Sequence, residues 1–228
     1  TNRVGVINSD RTLQQLRFVL QNNRELYPYW AEVKAESGKY FTRLAFTGNY
    51  FFNYRKGGLN ARLFAGKFFY NGSKTGQKQF ATSRYHLNLS GPDGFEDYTY
   101  SDYFAGRNHF EGWQSQQLMI RDGAFKVSTP LLAQKVGKTD NWLAAVNLTS
   151  TIPDAINPFK LLPVKIPVKL FMDVGTYAEA WDDEAGTDRF LYDAGLYLPL
   201  FKETINIYVP LFYSSVFGDY YKSTIPDK

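Results

Sequence analysis

The stretch Lys39 to Tyr54 alternates for sixteen residues without interruption. One face carries Tyr40, Thr42, Leu44, Phe46, Gly48, Tyr50, Phe52 and Tyr54, and the other carries Phe41, Arg43, Ala45, Thr47, Asn49, Phe51 and Asn53. A period of two marks a strand, because successive side chains leave the backbone on opposite faces. Such a length far exceeds the ~5–6 residues of an ordinary soluble strand, whereas ~9–11 residues suffice to cross a bilayer as a tilted strand. The segment is therefore expected to form part of a barrel wall. The run Tyr54-Arg55-Lys56-Gly57-Gly58 is expected to reverse the chain with glycine at positive φ, leading into a second strand, Leu59 to Tyr70.

Further strands are expected through Arg84 to Ser90, Leu118 to Thr129, Trp142 to Ile152, Pro167 to Ala180, Arg189 to Leu200 and Thr204 to Ser214. Leu13 to Leu20 is read as a strand, although Leu13, Leu16 and Leu20 also fit a helical face. The tail from Tyr220 to Lys228 reads as a polar loop. In the late strands an uncharged face (Val168, Leu170, Met172, Val174; Phe190, Tyr192, Ala194, Leu196, Leu198; Ile205, Ile207, Val209, Leu211) opposes one that mixes charge, Gly and Tyr (Lys169, Asp173, Gly175; Asp193, Gly195, Tyr197). That pattern suits a lipid-facing wall around a polar lumen, with Tyr54, Tyr70, Trp142, Trp181 and Tyr213 at the interfaces.

The chain is 44% hydrophobic and 18% aromatic, yet its mean hydropathy is −0.37, and it has no apolar run of the ~18 residues that a membrane helix requires. The aromatic content also excludes a disordered chain. The expected fold is all-β, an antiparallel transmembrane β-barrel with roughly nine strands, residues 1–228 forming a single unit and residues 91–117 a long extracellular loop region. A soluble antiparallel barrel or sandwich, as a ligand-binding protein, stays open, since its strands alternate as well. Pro199 and Pro210 are expected at strand ends or bulges, because proline removes a ladder donor.

Little in the composition supports chemistry. With no Cys and two His, a zinc site is not expected. Net charge is +4, but Lys and Arg are scattered, so no nucleic-acid footprint is visible. Asp182, Asp183, Glu184 and Asp188 form an acidic hairpin tip without the spacing of a calcium loop, and a solvated loop is favoured. His109 and Glu111 lack a neighbouring His, and Asn71, Asn88 and Asn147 open Asn-x-Ser/Thr triplets that read as coincidence. The acidic, tyrosine-rich run Asp93 to Tyr103 suits a surface loop. No catalytic residue, cofactor or metal is expected in this segment.

Laid out in order, four pieces resemble the C-terminal half of the outer-membrane surface-antigen barrels, the BamA and TamA type. Phe110-Glu111-Gly112-Trp113-Gln114-Ser115, preceded by Gly106 and Asn108, is similar to the family's inward-folded loop, whose tip reads hydrophobic-Arg-Gly-aromatic. Ala144 to Pro153 resembles the strand that follows. Val168 to Thr176 is similar to the aromatic-x-Asp-x-Gly strand, with Asp173 and Gly175 at the motif positions, and Ala194 to Leu200 with Ile205 to Phe212 resembles the penultimate hairpin. In such barrels the loop-tip Arg pairs with wall carboxylates, so the resemblance implies that Asp173 receives a cation from the loop. Here Glu111 stands at the Arg position and Thr149 where the preceding strand usually has Glu; Arg107, or else Arg121, is then expected to supply the cation, with Gly112 and Trp113 beside it. The family's closing strand is expected after Lys228. The resemblance implies a bacterial outer-membrane location, contact with the lipid bilayer and with other outer-membrane or periplasmic proteins, and a role in protein insertion or translocation. An outer-membrane barrel anchoring an enzyme such as a zinc aminopeptidase is the alternative it leaves.

Overall fold

Alternation becomes pairing along much of the described chain. The computed structural model describes residues 12–55, 57–71, 86–90, 118, 120–127, 136–153, 157 and 167–224. Its strands are β1 (Gln14–Asn22), β2 (Tyr29–Ser37), β3 (Phe41–Tyr54), β4 (Gly57–Tyr70), β5 (Leu87–Asn88), β6 (Lys138–Thr139), β7 (Trp142–Thr151), β8 (Lys169–Tyr177), β9 (Leu191–Leu200) and β10 (Ile205–Tyr213), followed by helix α1 (Ser215–Thr224). Eight of them form one sheet in the order β1-β2-β3-β4-β7-β8-β9-β10, and every neighbouring pair is antiparallel. β5 pairs with β6 inside the long connection from β4 to β7. Among the described residues β1 and β10 are the free edges. The end where β4 stops and β7 starts is termed the insertion end below, and the opposite one the far end.

The register divides the sheet cleanly into two faces. One inward row runs Gln21, Trp30, Asn49, Arg62, Asn147, Asp173, Asp193 and Tyr213, each the direct cross-strand partner of the next. A second inward row nearer the insertion end joins Gln15, Glu36 and Arg43. Arg43 donates to Glu36, Gln15 Nε2 donates to it at 3.1 Å, and Arg43 lies over the Phe68 ring at 5.8 Å. Both charged residues are fully buried, so each depends on the other for compensation. The outward face is different in kind: Leu16, Phe18, Leu20, Val33, Leu44, Phe52, Leu63, Val146, Leu170, Met172, Tyr192, Ile207 and Val209 are all exposed.

The inward face holds a core at the insertion end. Phe41, Phe64, Phe68, Leu143, Ala145, Tyr177 and Leu191 of the wall pack with Leu87, Leu89, Phe125, Val127 and Val136 of the β4–β7 connection and with Phe217 of α1. Leu13, ahead of β1, Tyr213, the last residue of β10, and Val216 of α1 pack on the same cluster.

Several expectations need correction. β2 is an addition to the expected strands: three of its four inward residues (Glu32, Lys34 and Glu36, beside Trp30) are charged, which blurs its alternation. The expected strand from Arg84 reduces to β5, with residues 84 and 85 outside the described ones. No strand spans the described part of Leu118 to Thr129, whose backbone donors go instead to Leu89 and to the Asp193 carboxylate. Gly57 and Gly58 are paired strand residues rather than positive-φ turn residues. Their missing side chains make room for rings: a Cβ on Gly58 would sit 2.0 Å from Phe51 Cζ. Tyr220 to Lys222 belong to α1 rather than a loop, since Phe217, Tyr220 and Tyr221 turn one helical face onto the core. Tyr70 and Tyr213 also face that core, not an outer girdle. Pro210 does fall at the register shift between Pro210 and Phe212, and Pro199 is the last residue but one of β9.

In the β9–β10 connection Phe201, Lys202 and Glu203 take φ of 50°, 58° and 67°. Three successive non-glycine residues in the left-handed region cost ~1–2 kcal/mol each. Lys202→Gly is expected to raise stability by about 0.5–1 kcal/mol after glycine's own entropy is offset; a denaturant midpoint that falls would contradict it.

Candidate functional site

The inward row becomes a site because a segment of the β4–β7 connection is hydrogen-bonded along it. Residues 121–127 are shaped for this by two left-handed residues, Asp122 (φ 49°) and Ala124 (φ 54°), on either side of Gly123. A Cβ on Gly123 would meet Leu89 Cα and O at 2.6 Å, so only glycine allows the two backbones to approach. Gly123 N donates to Asn88 O at 3.0 Å, Phe125 N to Leu89 O at 2.8 Å, and Leu89 N to Gly137 O at 2.8 Å. Asn88 N reaches Asp122 Oδ2 at 3.2 Å. The three pieces of the connection thereby form one body, which presents residues 122–127 to the wall.

Four adjacent strands receive it. From β4, Arg62 Nη1 donates to Asp122 O (2.8 Å) and to Asn147 Oδ1 (2.7 Å). From β7, Asn147 Nδ2 donates to Gly123 O (2.8 Å) and to Asp173 Oδ1 (2.9 Å). The orientation of the Asn147 amide follows from its neighbours, because Arg62 only donates and a carboxylate only accepts. From β8, Asp173 Oδ2 accepts from Lys126 Nζ at 2.9 Å, and Lys126 Nζ also donates to Ala124 O at 2.5 Å. From β9, Asp193 Oδ2 accepts from the backbone amides of Lys126 (2.8 Å) and Val127 (3.1 Å). Asp193 Oδ1 and both side-chain atoms of Asn88 have no partner among the described residues.

The charges balance across the contact. The wall brings Arg62, Asp173 and Asp193, an excess of one negative charge, and the docked segment brings Arg121, Asp122 and Lys126, an excess of one positive charge. Asp173 and Asp193 are fully buried. Directly opposed carboxylates repel, and the Lys126 ammonium placed over Asp173 is what offsets that repulsion. The ammonium also lies 5.1 Å from the Tyr208 ring and 5.5 Å from the Phe171 ring, an aromatic enclosure that suits a cation. Tyr208 stacks on Tyr197 with centroids 4.7 Å apart, and Lys169 caps Tyr197 at 5.5 Å while pairing with Glu203 at 2.8 Å.

Asp173 and Gly175, both singled out by the aromatic-x-Asp-x-Gly pattern, serve one purpose. Asp173 bonds the docked segment, and Gly175 leaves room for it: a Cβ there would lie 2.5 Å from Leu89 and 3.0 Å from Phe125. Arg107, Glu111, Gly112 and Trp113 lie outside the described residues, as do His109 and the run Asp93 to Tyr103. The cation on Asp173 is Lys126; Arg121 instead lies beside Asp122, at 3.9 Å. Thr149 is opposite Phe171, and the residue opposite Asp173 is Asn147. Asn147 and Asn88 are buried, so neither triplet is accessible to a modifying enzyme. Arg62 and Lys126 were not singled out from the sequence, Asn147 was named only for its triplet and Asp193 only for the polar face of its strand, although Arg62, Asn147 and Asp193 share the inward parity of their strands. No family model, curated protein or solved structure matches this chain.

Proposed function

We propose that this chain is the wall of a bacterial outer-membrane β-barrel with a plug latched inside it, of the surface-antigen type that serves insertion or translocation of outer-membrane proteins. One observation carries the membrane part. Across eight strands the outward face bears a single charged side chain, Lys67, and its large apolar residues are exposed. Soluble monomers rarely expose apolar patches beyond ~300–600 Å², whereas lipid-facing barrel strands require them. The backbone groups on the free edges of β1 and β10 then need partners, from each other or from further strands, since bilayer core supplies none.

The plug supports the family-level role: an inward-folded connection held to Asp173 by a cation is the arrangement expected of that barrel type. Its apolar packing through Leu87, Leu89 and Phe125 equally favours a second reading, a rigid barrel that anchors an enzyme. Expression with a signal sequence, followed by membrane fractionation, tests the shared premise. Extraction by detergent alone and heat-modifiable migration on a gel are expected; recovery from periplasm without detergent would sink it. Proteoliposomes carrying the protein should then speed folding of an added outer-membrane protein, and the anchor reading gains if they do not.

A further inference from the structure

The single charge on the outward face is not placed at random. Lys67 stands three residues before the end of β4, and its ammonium lies 5.4 Å from the ring of Phe69, two residues nearer the insertion end. A lysine in lipid extends along its chain toward the headgroups in this way. Among the described residues no carboxylate lies within salt-bridge distance of it. Its register partner on β7 is Trp142. The same combination recurs at the same end: Lys39 Nζ sits 5.2 Å from the exposed Tyr40 ring, and the Arg189 guanidinium 4.9 Å from exposed Trp181. Tyr40 is adjacent to the β4 end, where Asn71 N donates to Tyr40 O at 2.8 Å.

An ammonium on a lipid-facing wall needs a counter-charge, and this wall supplies none. We propose that Lys67 forms a binding site for the phosphate of an anionic membrane lipid, with the headgroup region resting against Phe69 and Trp142. The inference rests on the membrane reading above and adds a ligand to it. Aromatic rings set the depth, since Trp and Tyr favour the interface, and the ammonium selects a phosphate headgroup that keeps a net negative charge. Lys67 lies toward the insertion end, so a lipid held there belongs to the leaflet at that end.

Trp142 makes the site readable. A form retaining only that tryptophan (Trp30→Phe, Trp113→Phe, Trp181→Phe) is folded into phosphatidylcholine vesicles containing brominated phosphatidylcholine or brominated phosphatidylglycerol, and flotation is measured first. The brominated anionic lipid is expected to quench Trp142 with about fivefold higher apparent affinity, the worth of one lysine near an anionic surface. Lys67→Gln should abolish the preference, Lys67→Arg should keep it, and Lys202→Gln at the far end should leave it unchanged. Failure to float removes the membrane reading and the site together. Flotation with equal quenching by the two lipids, or a preference that survives Lys67→Gln, overturns the phosphate site alone.

Discussion

Asp173→Ala is expected to release the docked segment and to lower stability by ~3–5 kcal/mol, the range for removing one partner of a buried ion pair. The loss is large because two groups are stranded: the Lys126 ammonium and the Asn147 side-chain amide, both donors to this carboxylate. The neighbouring Val174 faces outward and touches none of the plug, so Val174→Ala should cost no more than ~1 kcal/mol. Denaturant midpoints report the stability, and protease cleavage within residues 121–127 reports release. Equal loss in the two variants would remove the latch. A sharper check is the pair Asp173→Asn and Lys126→Met. If the ionic contact matters, the double variant should be more stable than the sum of the single losses predicts, by at least ~1 kcal/mol.

Gly195→Ala is the second large effect expected, and its cause is steric rather than electrostatic. A Cβ at this position would lie 2.0 Å from Val209 O and 3.0 Å from Leu211 N. Both are backbone atoms at the register shift between β9 and β10, so no side-chain rotation relieves the clash. The ladder must part, and a cost of about 3 kcal/mol is expected, comparable to severe overpacking. Amide exchange in β10 should accelerate while exchange in β3 and β4 stays slow. Gly186→Ala is the control, since nothing lies within 4 Å of its would-be Cβ. If the two alanine variants melt together, the close approach at Gly195 has no energetic weight.

What could be read from the sequence and what could not divides along a physical line. β3, β4 and β8 to β10 were legible because each presents an apolar outward face, and a period of two shows best when one face is uniform. β2 hid its outward Ala31, Val33 and Ala35 beside Glu32, Lys34 and Glu36, whose charges are tolerable only because Arg17, Arg43 and Gln15 meet two of them across strands. α1 was missed because its helicity derives from Phe217, Tyr220 and Tyr221 packing on a distant core, not from local propensity. The plug was the least legible part. Lys126 and Val127 donate to Asp193, more than sixty residues later in the chain, and no local pattern encodes such a bond. Asp173 was found because a short motif marks it. Arg62, Asn147 and Asp193 carry the same inward parity, but only the pairing register shows that the four stand in one line.

That line is oblique to the strands' ends. It meets β4 at Arg62, eight residues before Tyr70 closes that strand, and β9 at Asp193, two residues after Leu191 opens it. Between those two strands it climbs by about six residues, or ~20 Å at the usual rise of a strand. In the closed barrel proposed above, such a line would be a screw thread, with the plug seated along its pitch. Straight withdrawal would drag every contact across the thread at once, whereas a turn combined with a lift follows it. Release of the plug from a barrel of the proposed kind is then expected to combine a turn with a lift, with a handedness set by the strand register.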